Sequence, residues 1–120
     1  MHNFSESCQR NQAPIYDVLK PYFERVGDVL EIGSGSGQHA HFFTARSPQL
    51  NWQCSDRAMW LPGLEANIAE HFPAGFSPAL ELDVNAHWPD ARYDMIYTAN
   101  SLHIMSWENV QNFFANLASH

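Results

Sequence analysis

A glycine loop between a short apolar strand and a helix constrains the fold of this chain more than any other feature. Residues 29–39 read Val-Leu-Glu-Ile-Gly-Ser-Gly-Ser-Gly-Gln-His. The apolar residues and the acid predict a strand, the glycines a turn, and the last two residues the start of a helix. Because glycine has no Cβ, the backbone of such a turn can approach a bound cofactor closely. The free N–H groups at the start of the helix face the same place.

The acid at the end of this strand indicates which cofactor the turn binds. A carboxylate at Glu31 repels the two phosphates of a dinucleotide and attracts the sulfonium and ammonium groups of S-adenosylmethionine. Gly33, Gly35 and Gly37 are spaced as G-x-G-x-G, one residue short of the dinucleotide pattern G-x-G-x-x-G. Both observations favour the methyl donor, and a nicotinamide-dependent dehydrogenase is the weaker alternative.

Length and charge exclude several other classes of protein. A chain of 120 residues forms one domain, and its net charge of −7 with only six scattered Lys and Arg argues against a nucleic-acid partner. Cys8 and Cys54 form no C-x-x-C pair, so we expect two reduced thiols and no metal site. The N-terminus lacks the features of a signal peptide and no segment is long enough to span a bilayer, which predicts a soluble, cytoplasmic protein without a membrane partner.

Hydrophobic spacing predicts strands that alternate with helices. We expect strands at 28–32, 51–56, 79–84 and 93–98, and helices at 12–23, 38–45, around 59–72 and after Ser106. The predicted apolar stripe of the first helix is Ile15, Val18, Leu19, Tyr22 and Phe23. Pro21 should kink that helix or end it early. Strands separated by helices predict a parallel sheet with right-handed crossovers.

The last predicted helix would normally lead into a fifth strand. Without that strand, the fourth strand has an open edge beside an apolar helix, which proteins normally cover. We expect the chain to be a truncated form of a longer protein. Homo-oligomerisation through the fourth-strand edge is the alternative.

The chain resembles a family of S-adenosylmethionine-dependent methyltransferase-like proteins, found in bacteria and animals, whose substrate is not established. The matching stretches are Arg10-Asn11 with Pro14-Ile15, residues 30–39, Trp52-Gln53 with Ser55-Asp56, Leu82-Asp83-Val84, Trp88-Pro89, and Ala99-Asn100 with Leu102-His103-Ile104. The resemblance covers nearly the whole chain but only the N-terminal part of the family's domain. It implies the Rossmann-like sheet of class I methyltransferases, with parallel strands in the order 3-2-1-4, flanking helices and the C-terminal strands missing.

The resemblance also implies a set of cofactor-binding residues: Arg10, Asn11, Glu31, Gly33, Ser34, Gly35, Gly37, Asp56, Asp83, Val84 and Asn100. Glu31 and Gly33 would line the methionine end, and Gly35 would lie against the cofactor backbone. Asp56 lies near the offset at which a carboxylate accepts the ribose hydroxyls. The resemblance further implies that Arg10 closes over the site and pairs with the cofactor carboxylate.

Other roles implied by the resemblance fall late in the chain. Asp83 would receive the adenine amino group, Val84 would pack on the ring, and Asn100 would contact the methionine group. Each acid also has a structural alternative, because Glu31 could pair with an arginine, Asp56 could cap a helix and Asp83 could form an ordinary turn.

The histidines are weaker candidates. His39 and His41 point to different faces of a helix, so we expect packed or surface imidazoles there and no shared metal. His103, after the fourth strand, is a weak candidate for a catalytic base, and packing is the favoured role. The expected activity is methyl transfer to a small-molecule or protein acceptor. The alternative is a non-catalytic S-adenosylmethionine-binding module or pseudo-enzyme that works with a partner chain.

Overall fold

A computed structural model describes residues 4–82 and 93–98 of the chain. In chain order its elements are α1 (Glu6–Phe23), β1 (Asp28–Glu31), α2 (Gln38–Arg46), β2 (Asn51–Asp56), α3 (Leu61–His71), β3 (Leu80–Glu81) and β4 (Met95–Tyr97). The four strands form a parallel sheet in the order β3-β2-β1-β4. The predicted α/β fold class and strand order are therefore confirmed, and the helix predicted after Ser106 lies outside the described residues.

The register of the sheet places the end of β1 between β2 and β4. Glu31 at the end of β1 lies beside Cys54 of β2 on one side and Tyr97 of β4 on the other. Because all the strands are parallel, their carboxyl ends meet at this edge, where ligands of open α/β sheets bind. The glycine loop leaves the sheet at the same edge, directly after β1.

An aromatic core covers one face of the sheet. Phe43 of α2 packs on Trp52 and Tyr97, and Phe23 of α1 packs on Phe43 and Trp52, with ring centroids 5.5–5.9 Å apart. Successive residues of a strand point to opposite faces, so Val29 joins this core whereas Leu30 packs in a smaller cluster on the other face. The same alternation sends the Glu31 side chain into the aromatic face.

Helix α1 begins six residues earlier than predicted. Its first residue is Glu6, because the Ser5 side chain caps the helix by accepting a hydrogen bond from the Cys8 N–H at 3.3 Å. Pro21 was expected to kink the helix or end it early. It does not end the helix, since α1 continues to Phe23. Pro14 and Pro21 both lie on the exposed side, where solvent can satisfy the carbonyl groups left without N–H partners.

The buried stripe of α1 also differs from the prediction. Val18 and Tyr22 are 68% and 57% exposed, whereas the unpredicted Tyr16 is buried and its hydroxyl shares a 2.7 Å hydrogen bond with Ser47 Oγ. Spacing identified an apolar stripe, but the face that packs is shifted toward Tyr16 because that tyrosine has a partner for its polar end.

The remaining elements agree closely with the prediction, with small differences at their ends. β2 has the predicted bounds, whereas β3 and β4 are shorter than predicted. A short 3₁₀ helix, Ala58–Trp60, precedes α3, so Met59 is exposed and does not join the core. In α2, Phe42 is only partly buried and carries the Arg46 guanidinium 3.5 Å from its ring centroid. No helix in the described part of the chain is long and apolar enough to cross a membrane.

Candidate functional site

The glycine loop, residues 33–37, has the backbone geometry that only glycine adopts readily. Gly33, Gly35 and Gly37 have φ values of +71°, +59° and +83°, all in the left-handed region. A Cβ at Gly37 would lie 3.2 Å from Leu64 Cδ1, so this glycine allows the loop to pack against α3. A Cβ at Gly35 would meet nothing within 4 Å. Gly35 therefore leaves open space on the side where a ligand could approach.

Hydrogen bonds to neighbouring elements hold the glycine loop in place. The Ser34 N–H donates to the Ser55 carbonyl at 2.8 Å, and the Ser55 N–H donates back to Ser34 Oγ at 3.0 Å. The Ser55 hydroxyl donates to the Glu31 carbonyl, and Asn67 Nδ2 of α3 donates to the Ser36 carbonyl at 2.9 Å. The chain's own hydrogen bonds thus fix the loop to both β2 and α3, which lowers the ordering cost of binding.

Asp56, the last residue of β2, lies directly beside this loop. Its Oδ2 accepts the Gly35 N–H at 2.9 Å and its Oδ1 accepts the Arg57 N–H at 2.8 Å. A carboxylate has about four lone-pair positions, so two bonds to the backbone leave each oxygen able to accept another. The structure therefore brings the predicted ribose acceptor and the predicted cofactor loop into direct contact.

Glu31 is buried, with 3% of its surface exposed, and it lies under the glycine loop. Its Oε1 accepts a hydrogen bond from Trp52 Nε1 at 3.1 Å. Burial raises the pKa of Glu31 from its ordinary value of 4.5 to about 7 against the opposing hydrogen bonds of Ser34 and Trp52, and the charge of Asp56 adds to the rise. Within the described residues no Lys or Arg pairs with this carboxyl. At neutral pH the side chain is poised between its two protonation states.

A buried polar pair beside Glu31 was not predicted from the sequence. The Tyr97 hydroxyl and His39 Nδ1 share a hydrogen bond of 2.9 Å, with Tyr97 opposite Glu31 in the register. Burial lowers the pKa of His39, with the backbone of Cys8 in α1 acting in the opposite direction, so the imidazole is neutral at pH 7. Burial also raises the pKa of Tyr97, and the negative charge of Glu31 adds to that rise. His39 is thus one of the packed imidazoles expected from the sequence.

Helix α1 carries the two residues predicted to close over the site. Arg10 and Asn11 are exposed in α1, and the Arg10 guanidinium donates to Ser7 Oγ on the same helix at 3.2 Å. The start of α1 is joined to the start of α2 by Ser5 and Gln38. The Ser5 N–H donates to Gln38 Oε1 at 2.6 Å, and Gln38 Nε2 donates to the Ser5 carbonyl at 3.0 Å. The sequence signal for Gln38 is a polar residue directly after the last glycine, and it was missed.

The remaining candidates are His41, a possible metal site, and the predicted residues late in the chain. His41 is exposed and its Nε2 lies 3.1 Å from the His71 carbonyl, away from His39. Across residues 4–82 and 93–98, no three His, Cys, Asp or Glu side chains are grouped to hold a metal. The remaining predicted site residues lie outside the described residues: Asp83, Val84, Asn100 and His103.

Comparison with known proteins identifies the family of this chain and structures with a similar fold. The sequence model of the family described as "Protein of unknown function (DUF938)" matches residues 2–120, so the chain belongs to that family. The fold is similar to the apo crystal structure of the S-adenosylmethionine-dependent methyltransferase SibL, with a TM-score of 0.79 and 23% identity over 93% of this chain. It is also similar to an O-methyltransferase family protein from Burkholderia thailandensis, with a TM-score of 0.77 and 19% identity over 95% of this chain.

A third similar structure is the glycopeptide N-methyltransferase MtfA, with a TM-score of 0.70 and 20% identity over 89% of this chain. The chain spans 32% of SibL, 36% of the Burkholderia thailandensis protein and 55% of MtfA. These likenesses show that the described sheet and helices have the Rossmann-like methyltransferase fold.

Proposed function

We propose that this member of the DUF938 family binds S-adenosylmethionine at the carboxyl edge of its sheet and transfers the methyl group to a small-molecule or protein acceptor. The observation that carries the proposal is the placement of one buried carboxyl, Glu31, under a left-handed glycine loop whose middle glycine faces open space. The methyltransferase fold of three similar structures supports the same conclusion.

The residues at this edge fit the chemical groups of the proposed cofactor. A Cβ would fill the open space at Gly35, which is the place where the backbone can approach a ligand closely. Asp56 is fixed beside Gly35 with lone pairs left to accept ribose hydroxyls. The Glu31 carboxyl supplies negative potential beneath the loop, which attracts a sulfonium or ammonium group and repels a pyrophosphate. By resemblance, Asp83, Val84 and Asn100 complete the adenine and methionine ends.

The cofactor supplies a methyl group on a positively charged sulfur, which leaves readily as a neutral thioether. The chain therefore has to align donor and acceptor and exclude water, and needs no obligatory base when the acceptor is already nucleophilic. The glycine loop is suited to this alignment, because its bonds to Ser55 and Asn67 fix its shape before binding. His103 stays a weak candidate for a base.

Isothermal titration calorimetry with S-adenosylmethionine, S-adenosylhomocysteine and NADH tests the binding step. We expect both sulfur ligands to bind and NADH not to bind. Glu31→Gln should weaken S-adenosylmethionine binding about tenfold, since one charge interaction of about 1.4 kcal/mol is lost. Glu65→Gln, on the exposed side of α3, is the matched control and should bind as the unmodified chain does. Binding of NADH with exclusion of both sulfur ligands would refute the proposal.

A methyl-transfer assay separates an enzyme from a binding module. The chain is incubated with methyl-labelled S-adenosylmethionine and either metabolite fractions or protein fractions, and labelled product is counted. Product in one fraction identifies the acceptor class. Tight binding of the cofactor without product in either fraction would support the non-catalytic module instead.

A further inference from the structure

A single glutamine side chain connects the glycine loop to the start of the N-terminal helix. Gln38 is 5% exposed and makes three hydrogen bonds. Its Oε1 accepts from the Ser5 N–H at 2.6 Å and from the Ser36 hydroxyl at 2.7 Å, and its Nε2 donates to the Ser5 carbonyl at 3.0 Å. Ser36 belongs to the glycine loop and Ser5 is the N-cap of α1, so Gln38 joins two segments 33 residues apart.

The hydrogen bonds between Gln38, Ser5 and Ser36 affect ligand binding because of where they lie. Arg10 and Asn11 lie in the second turn of α1, directly after the turn that Ser5 caps, and both are exposed. Beneath the same turn, the backbone of Cys8 faces His39, which is bonded to Tyr97 beside Glu31. Fixing Ser5 therefore fixes the first turn of α1 relative to the glycine loop.

We infer that Gln38 is a positioning residue that couples the glycine loop to the first turn of α1, so that a ligand seated on the loop holds this turn closed over the site. The inference rests on the proposed function, because it assigns that turn as the cover of the cofactor site. The Ser36 hydroxyl connects the glycine loop to Gln38, and the paired hydrogen bonds with Ser5 connect Gln38 to α1.

The amide of Gln38 matches the groups around it. The Ser5 N–H and the Ser36 hydroxyl both need an acceptor, whereas the Ser5 carbonyl needs a donor, and the Gln38 amide supplies both from one buried side chain. A methionine of similar length keeps the packing but makes none of these bonds. A buried donor or acceptor left without its partner is costly, so the turn should then detach from the loop and meet solvent instead.

The test compares three variants by amide hydrogen exchange and by calorimetry with S-adenosylhomocysteine. Gln38→Met removes all three bonds, Ser36→Ala removes only the bond from the loop, and Gln9→Met is the control on the exposed side of the same turn. Far-UV circular dichroism confirms that each variant is folded. The reporting amides are Ser5, Cys8 and Gln9, whose N–H groups are donors in the capped turn.

In the unmodified chain we expect the ligand to slow exchange at these three amides. In Gln38→Met, exchange without ligand should be about tenfold faster, ligand should give no further protection, and dissociation should be about tenfold faster. Ser36→Ala should keep slow exchange without ligand but lose the additional protection. The control should behave as the unmodified chain does.

The outcomes distinguish the two proposals. If the unmodified chain does not bind the ligand, the proposed function fails. If it binds and Gln38→Met shows the same affinity, dissociation rate and protection, the coupling is refuted whereas the proposed function stands. Faster exchange in Gln38→Met together with unchanged ligand protection would also refute the coupling, because Gln38 would then only stabilise the helix.

Discussion

Replacing Glu31 by Gln should change how the stability of the chain depends on pH. The carboxyl is 3% exposed, and burial raises its pKa from 4.5 to about 7. The glutamine amide has nearly the same shape and keeps an oxygen that can accept the hydrogen bond from Trp52 Nε1. The substitution thus removes the charge and leaves the packing and this hydrogen bond in place.

The sign of the effect follows from proton binding in the two states. The unfolded chain loses the Glu31 proton near pH 4.5, whereas the folded chain keeps it up to about pH 7. Between these values the folded state binds more protons, so the free energy of unfolding falls as the pH rises through this window. The difference in the pKa of Glu31 between the folded and unfolded states corresponds to about 3 kcal/mol of stability. This stability is present below pH 4.5 and lost above pH 7.

Urea unfolding, followed by tryptophan fluorescence from pH 4 to pH 8, measures this difference. Titrating groups distant from Glu31 contribute equally to the unmodified chain and to Glu31→Gln, so the difference between the two profiles reports the carboxyl and its coupling to Asp56. We expect the variant to lose about 3 kcal/mol less over this range. Glu65→Gln, on the exposed side of α3, should follow the unmodified chain. Parallel profiles for the unmodified chain and Glu31→Gln would refute the argument that the buried carboxyl gains its proton on folding.

Three further predictions concern the same edge of the sheet. Gly37→Ala should lower the free energy of unfolding in urea by about 1–3 kcal/mol, because its Cβ would lie 3.2 Å from Leu64 and its φ is positive. Gly35→Ala should lower it by only about 1 kcal/mol but weaken S-adenosylmethionine binding more than tenfold. A larger binding loss in Gly37→Ala than in Gly35→Ala would contradict the assignment of the open space to the ligand. Trp52→Phe removes the 3.1 Å hydrogen bond to Glu31, so the pH at which stability is lost should move upward in the same urea profiles; an unchanged profile would contradict this. At pH 7, binding of S-adenosylmethionine should release about half a proton, measured by calorimetry in phosphate and in Tris, and Glu31→Gln should release none.

The local pattern of the sequence was sufficient to predict the strands of a parallel sheet. The bounds of β2 agree with the structure, because alternating apolar residues and the turn residues that end each strand act over short distances. The strand order 3-2-1-4, which the resemblance implied, also agrees with the structure. The position of Asp56 beside the glycine loop also follows from this topology, since parallel strands that end at one edge bring their last residues together.

Contacts between distant segments could not be predicted in the same way. The early start of α1 depends on Ser5, whose backbone is held by Gln38, and no spacing rule relates two residues so far apart. The buried face of α1 differs from its apolar stripe for the same reason, because Tyr16 is selected by its bond to Ser47. Likewise, the partner of Glu31 was expected to be an arginine or a ligand, and the structure shows an indole N–H from the neighbouring strand.

The two acids at the site respond to a ligand in different ways. Asp56 accepts two backbone N–H groups, which fix its position beside Gly35 whatever is bound. Glu31 has a pKa near 7, so its charge depends on what approaches. A positively charged sulfur or ammonium group favours the ionised carboxylate and releases its proton, so binding of such a ligand strengthens as the pH rises toward 7 and above. A pyrophosphate favours the neutral acid and takes up a proton, so its binding weakens over the same range. The direction of proton exchange at Glu31 therefore identifies the charge of the ligand that this loop accepts.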